Sequence, residues 1–318
     1  QGDDGEIVDV VDMKLSDVVD LIRGKRGTVV RLEVTPADSP SRKVIRIVRD
    51  RIELTDSEAK GKVFEVGRRP DNGQPYKIGV IDLPSFYMDM AGARLGLPDF
   101  KSTTRDVRNI LEGFQADGVD AVVLDLRRNG GGSLTEAISL TGLFIPEGPV
   151  VQVKDSEGRV QPYHNLDPSM AWKGPLVVVV SKFSASASEI LAGAIQDYGR
   201  GLVIGDHATH GKGTVQSLMD LGQQLFRIPN APAMGALKVT MQQFYRPNGD
   251  STQKRGVLSD VEIPSLITHL DVGEDDLDFP VEFDQIAAQQ FKRFSYVDPV
   301  VCEMLRRRSE ERCSQSED

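Results

Sequence analysis

Ala121-Val-Val-Leu-Asp-Leu-Arg-Arg-Asn-Gly-Gly-Gly-Ser-Leu134 is the stretch on which the fold turns. Its apolar start, Ala121–Leu126, is short and bounded by turn residues, which predicts a strand buried in a sheet. Three consecutive glycines then free the backbone to turn sharply. Leu134, Ala137, Ile138 and Thr141 follow at the spacing of one helical face. Working outward, the same alternation repeats. Lys77–Leu83 reads as a strand, and Val107, Ile110, Leu111 and Phe114 stripe a helix. Leu176–Val180 is a fully apolar strand, Ile190, Leu191, Ala194 and Ile195 face a core from a third helix, and Leu202–Ile204 is a further strand. Strands alternating with helices predict a layered α/β fold with right-handed crossovers.

The flanks read differently. In the first 53 or so residues, Leu15, Val18, Val19 and Ile22 form one helical face that Gly24 stops. Thr28–Val34 and Lys43–Val48 alternate as strands, so this is a small unit of its own. Thr55–Gln74 is rich in Gly, Lys, Asp and Pro and reads as a linker. Beyond Lys238–Phe244 and the turn Arg246–Asp250, Asp271–Asp278 reads as an acidic loop, while Phe283–Phe294 and Val300–Arg312 read as helices.

The 318 residues suit roughly two domains. A net charge of −10 leaves no basic stripe to displace counterions from phosphates, which argues against nucleic acid. No apolar run approaches the ~18 residues of a membrane span. The chain opens at Gln1 without a methionine, so the lack of a visible signal is silent on compartment. Cys302 and Cys313 on one helix would lie about 16 Å apart, too far for a disulfide. His164, His207, His210 and His269 show no HExxH spacing. His207 and His210 could pair on a metal, but solvated loop positions are the better reading, and no metal or other cofactor is expected.

Three stretches could carry chemistry, and each has a plainer reading. Asp125–Ser133 is an anion or oxyanion cradle at a helix start, or simply a tight strand-to-helix turn. Phe183-Ser-Ala-Ser-Ala-Ser-Glu-Ile190 sets serines between an apolar strand and a helix. A serine there is an exposed nucleophile or an ordinary helix cap. In His210-Gly-Lys-Gly-Thr-Val-Gln216 a lysine stands between two glycines. It is a base sheltered from water, or a solvated turn residue.

Together, Asp125–Leu134, Phe183–Ile190, Gln196–Arg200 (QDYGR), Gly211–Gln216 (GKGTVQ) and Tyr245–Gly249 (YRPNG) resemble the carboxy-terminal processing, or tail-specific, serine peptidases, most closely their bacterial periplasmic branch. The resemblance implies Ser186 as nucleophile, Lys212 as general base and Gln216 as the residue that orients the lysine. It implies an oxyanion hole from Gly131, Gly132 and the Ala187 N–H, with Asp197, Glu189 and Thr209 in support. It further implies a crotonase- or Clp-protease-like layered α/β core over 76–270, a partial PDZ-like domain over 1–54 lacking its first half, a linker at 55–75, and the start of a helical C-terminal extension over 271–318. The implied function is a serine endopeptidase acting on proteins recognised at unstructured C-termini, in the periplasm or otherwise exported, with an adaptor protein as a further partner. A catalytically inactive peptide-binding scaffold and a crotonase-like acyl-thioester enzyme are the alternatives. Ser186 and Lys212 stand 26 positions apart, one more than the resemblance leads one to expect, with the extra residue in Asp206–His210.

Overall fold

The structure is a computed structural model that describes residues 7–36, 41–50, 58–226 and 234–316. Residues 1–6, 37–40 and 51–54 of the expected PDZ-like fragment, and 55–57 of the expected linker, lie outside the described residues. The chain divides into two compact units, Gln1–Asp56 and Ser57–Asp318.

The first unit holds helix α1 (Leu15–Ile22) and the antiparallel hairpin of β1 (Val29–Val34) and β2 (Lys43–Val48). Arg49 joins them: its guanidinium donates to the Leu21 and Ile22 carbonyls at the end of α1 and to the Thr28 hydroxyl. A cation there satisfies carbonyls that no helical N–H can reach.

The second unit begins with β3 (Lys60–Val66), antiparallel to β4 (Tyr76–Asp82). After α2 (Met90–Arg94) and α3 (Thr103–Ala116) come β5 (Ala121–Asp125), α4 (Leu134–Thr141), β6 (Gly148–Asp155), β7 (Val160–Asn165) and β8 (Leu176–Val180). Then follow α5 (Ala187–Asp197), β9 (Leu202–Gly205), β10 (Thr214–Asp220), α6 (Leu221–Phe226), β11 (Ala236–Tyr245), β12 (Val261–Glu262) and α7 (Pro299–Ser314). Six strands form one sheet in the order β12-β9-β8-β5-β4-β3, parallel except at the β3 edge. A second, antiparallel sheet runs β10-β11-β6-β7.

The helices on either side of β5 in the chain, α3 and α4, start on serine caps. The Ser102 hydroxyl accepts from Arg105 N–H at α3, and Ser133 accepts from Glu136 N–H at α4. Val107, Leu111 and Phe114 of α3 and Leu191, Ala194 and Ile195 of α5 are buried with Val122, Leu124, Val178 and Val180 of the sheet. β5 and β8 are hydrogen-bonded neighbours in parallel, with Asp125 opposite Val179. The glycine-rich loop after β5 and the serine-rich loop after β8 therefore leave the sheet side by side.

Two expectations are corrected. The tract read as a linker contains β3, the edge strand of the main sheet, so the core begins before Tyr76. An edge strand faces water along much of its length, and its lysines and glycine mimic loop composition while Val63 packs on the core. Phe283–Phe294 is not helical. It is an extended strap whose backbone bonds go to the core: Ile286 N–H to the Gly249 carbonyl, Gln289 N–H to Pro247 and Phe294 N–H to Tyr198. Its aromatic spacing imitates a helix, yet each ring has a separate partner. Phe291 meets Tyr198 with centroids 4.6 Å apart, Arg255 lies over Phe283, and Phe294 stacks on Tyr296. The strap thus covers the QDYGR turn. Val300–Arg312 does fall in a helix, α7, which carries Cys302 and Cys313 as free thiols.

Removing one strap ring should be costly. Phe291→Ala is expected to destabilise the chain by about 2 kcal/mol, the scale of a partly buried aromatic, read as a lower urea midpoint at unchanged m-value. A midpoint equal to that of the parent would mean that the strap contributes no packing.

Candidate active site

Ser184 and Ser186 lie on one loop and Ser188 on the first turn of α5, and the three differ in their hydroxyls. Ser184 is fully buried, and its hydroxyl donates to the Leu126 carbonyl at 2.7 Å. The hydroxyl of Ser188, also buried, donates to the Asn129 carbonyl at 2.8 Å. Ser186 is half-buried, and its hydroxyl donates to no acceptor among the described residues. It stands at the N-cap of α5, in a capping box with Glu189. Its backbone lies at φ 57° and ψ −111°, in a region where a residue with a Cβ costs about 1–3 kcal/mol. Strain of this kind, on a sharp strand-to-helix turn, is how a chain presents a nucleophile at the end of a sheet.

Opposite lies the glycine loop. Gly131 has φ 106°, and a Cβ there would come within 2.9 Å of both the Ala185 carbonyl oxygen and Ser186 Cβ, and 3.2 Å of Ala187 N. At Gly132, with φ 147°, a Cβ would meet the Phe86 carbonyl oxygen at 2.3 Å. Only glycine fits either place. Phe86 N–H donates to the Gly131 carbonyl and Ser133 N–H to the Phe86 carbonyl, so the loop is pinned on its far side. Gly131 N–H is committed to Asn129 Oδ1 at 2.9 Å. Gly132 N–H and Ala187 N–H have no acceptor among the described residues. Two unengaged amides beside an unengaged hydroxyl are what acyl transfer requires of an oxyanion hole.

Asn129 is the residue that sequence reasoning missed. Fully buried, it donates to the Leu83 carbonyl, bonds Gly131 N–H, and accepts through its carbonyl from Ala185 N–H and the Ser188 hydroxyl. An asparagine directly before glycines is a turn former through its side chain, and that signal was available.

Glu189 ties the nucleophile loop to the lysine loop. Fully buried on the first turn of α5, its carboxylate accepts from Ser186 N–H (2.6 Å), the Thr209 hydroxyl (2.7 Å), Gly211 N–H (2.7 Å) and Lys212 N–H (3.1 Å). Burial pushes this carboxyl up, to about 8, against the pull of those four donors. Thr209 in turn accepts from Val257 N–H through its hydroxyl.

The Asp206–His210 segment is paired nearly residue by residue. Asp206 N–H meets the Val180 carbonyl, Ser259 N–H meets His207, Thr209 N–H meets Val257, and His210 N–H meets Ser184. Lys212 remains on Glu189 through this stretch. The lysine is half-exposed rather than buried, and its amine donates to Gln216 Oε1 at 3.3 Å. A break in the β10–β11 register between Val215 and Gln216 accompanies that contact, and bulges of this kind re-aim side chains. No hydrogen bond joins the lysine amine to the Ser186 hydroxyl among the described residues. The glycines beside Lys212 answer to neighbouring backbone: a Cβ on Gly211 would lie 3.0 Å from the Lys254 carbonyl carbon, and one on Gly213 2.7 Å from Gln253 N.

Asp197, at the other end of α5, is buried and accepts from the Arg246 guanidinium and Asn248 N–H, fastening the YRPNG turn to the helix. Burial raises its carboxyl despite the arginine. His207 and His210 face different carboxylates, Glu262 and Glu274. Among the described residues, no three histidine, cysteine or carboxylate side chains group where they could hold a metal ion, and no helix is long and apolar enough to cross a membrane.

A parallel sheet whose neighbouring strand ends deliver such loops is a mixed α/β protease fold. The chain resembles the solved structure titled photosystem II D1 C-terminal processing protease with a TM-score of 0.53 and 26% identity, over 79% of this chain and 59% of that one. Residues 77–263 match the model of peptidase family S41, and the chain belongs to that family. It is 40% identical over 93% of its length to the tail-specific protease of Haemophilus influenzae, covering 40% of that protein. It is 30% identical over 82% of its length to carboxyl-terminal-processing peptidase 2, chloroplastic, of Arabidopsis thaliana, covering 46% of it. The chain therefore spans about half the length, or less, of these two relatives.

Glu189→Gln should expose the link between the two loops. The substitution turns a donor amide toward N–H groups, so activity is expected to fall by at least about tenfold. The parent's carboxyl titrates near 8 folded and near the ordinary 4.5 unfolded, so the folded chain binds this proton more tightly. Its stabilising contribution is complete below the unfolded value and is lost as pH rises through the folded one. The stability gap between parent and variant, followed by urea unfolding from about pH 5 to about pH 9, should narrow. A gap that widens with pH would contradict the assignment.

Proposed function

We propose that this chain is the catalytic part of a serine endopeptidase that processes or degrades proteins recognised at unstructured C-termini, with Ser186 as nucleophile and Lys212 as general base. The observation that carries the reading is the middle serine. Held on a strained turn with a free hydroxyl between two serines whose hydroxyls are spent, it shares one buried carboxylate with the lysine through their main-chain N–H groups.

In this mechanism the Ser186 oxygen attacks the scissile carbonyl carbon while Lys212 takes its proton. Gly132 N–H and Ala187 N–H hold the oxyanion, and Gly131, its own N–H spent on Asn129, shapes the turn. Lys212 then protonates the departing amine, and a water deprotonated by the same lysine hydrolyses the acyl-enzyme. A lysine works as a base only when shielded, and Lys212 is half-exposed without substrate. A peptide lying across Ser186 would exclude that water, and Gln216 would keep the amine aimed. Glu189, Thr209 and Asp197 act through other groups and are positioning residues.

The first unit is read as the PDZ-like fragment, which would add a substrate tail to its hairpin, and the compartment as periplasmic or otherwise exported; both rest on the family resemblance. An adaptor that delivers substrates belongs to the same reading.

Incubation with casein tests the central claim. Ser186→Ala and Lys212→Ala are each expected to lower cleavage by about a thousandfold or more, and a chelator to leave the parent's rate unchanged. Parental cleavage by either variant would refute the role given to that residue.

A further inference from the structure

The acidic run Asp271–Asp278, a solvated loop by its composition, turns several groups inward. Lys182, on the loop that ends in Ser186, donates from Nζ to the Leu270 carbonyl at 2.8 Å and to Asp276 at 3.1 Å. Glu274 is 9% exposed. Its N–H donates to the His210 carbonyl at 2.8 Å, and its Oε2 lies 3.5 Å from His210 Nε2. Its Oε1 accepts from Gln253 Nε2 at 3.0 Å, and Gln253 Oε1 accepts in turn from Gly213 N–H at 2.8 Å. Gln253 is fully buried.

The polarity of this relay is forced. Gly213 N–H can only donate, so the amide must show it oxygen, and the amide nitrogen must then find an acceptor on its other side. Glu274 supplies that acceptor. His210 and Gly213 bracket Lys212, so one buried carboxylate grips the lysine loop on both flanks.

The rest of the loop backbone is held as well. Gly211 and Lys212 N–H groups go to Glu189, and their carbonyls accept from Lys254 N–H and the Thr252 hydroxyl. The Gly213 carbonyl accepts from Phe244 N–H. Every main-chain polar group from His210 to Gly213 is engaged. Glu189 secures the inner side and Glu274 the outer side, while Leu270 and Asp276 of the same acidic segment hold Lys182 of the serine loop.

We infer that Glu274 is a positioning residue for Lys212, acting through His210 and the Gln253–Gly213 relay. The inference rests on the serine–lysine reading above. Because Glu274 is buried and its contacts are to the lysine loop, its loss should act on the chemical step and not on substrate binding.

The test is steady-state cleavage of casein by the full chain. Glu274→Ala is expected to lower kcat by about 10- to 100-fold, the scale of an ångström-sized misplacement, with KM held within about twofold. Glu274→Gln should recover most of the loss, because its amide oxygen can accept from Gln253. Gln253→Leu should match Glu274→Ala, and the double variant should be no worse than either single one. Parental kcat in folded Glu274→Ala, a rise confined to KM, or a Glu274→Gln as slow as the alanine variant would each overturn the inference. Should Glu274→Ala fail to fold, Glu274→Asp takes its place, with parental kcat again the refuting result. Ser186→Ala and Lys212→Ala assayed alongside separate the two failures: cleavage surviving in either sinks the serine–lysine reading, whereas cleavage lost in both and intact in the Glu274 and Gln253 variants sinks this inference alone.

Discussion

One buried carboxylate organises the catalytic end of this protein. Glu189 sits on the first turn of α5, out of contact with water, and gathers N–H groups from Ser186, Gly211 and Lys212 and the hydroxyl of Thr209. Ionising a carboxyl in such a place is costly, which is why burial drives its titration upward. The donors offset that cost only when all arrive together, from a loop at the end of β8 and a loop entering β10. The carboxylate therefore enforces the meeting of two segments that belong to different sheets. It does so through main chain, so the side chains of Ser186 and Lys212 stay available for chemistry.

The same economy runs through the surroundings. Ser184 and Ser188 use their hydroxyls to fasten loop to sheet, and Asn129 spends side chain and carbonyl to stitch the glycine loop to the serine loop. What remains unengaged is a small set, the Ser186 hydroxyl and the N–H groups of Gly132 and Ala187, and these lie together. A buried polar group left without a partner costs free energy. Concentrating the unmet ones beside a strained residue marks the place where a substrate would meet them.

Much of this was legible beforehand, for definite reasons. Ala121–Leu124 and Leu176–Val180 are apolar on both faces, a pattern that strands covered by helices on both sides display, so the α/β core followed. The glycine triplet and the Ser-Ala-Ser-Ala-Ser run announced their turns by residue type. The edge strand Lys60–Val66 was hidden because one solvated face makes its composition that of a loop. The strap over Phe283–Phe294 was misread because three rings docking at separate spots happen to fall near helical spacing. Asn129, Gln253 and Glu274 gave weaker signals still, since their importance lies in partners distant in the chain.

The sequence by itself determined the local chemistry: where the chain turns, which serines and which lysine stand at strand ends, and the alternation that builds the parallel sheet. These follow from steric and periodic rules that act within a few residues. Only the tertiary structure decided which of the three serines keeps a free hydroxyl, which glycine N–H is already spent, and that an acidic run folds inward against the lysine loop. Those outcomes depend on hydrogen-bond partners twenty to ninety positions away. Satisfying buried polar groups is a problem the chain solves in space, not along its length.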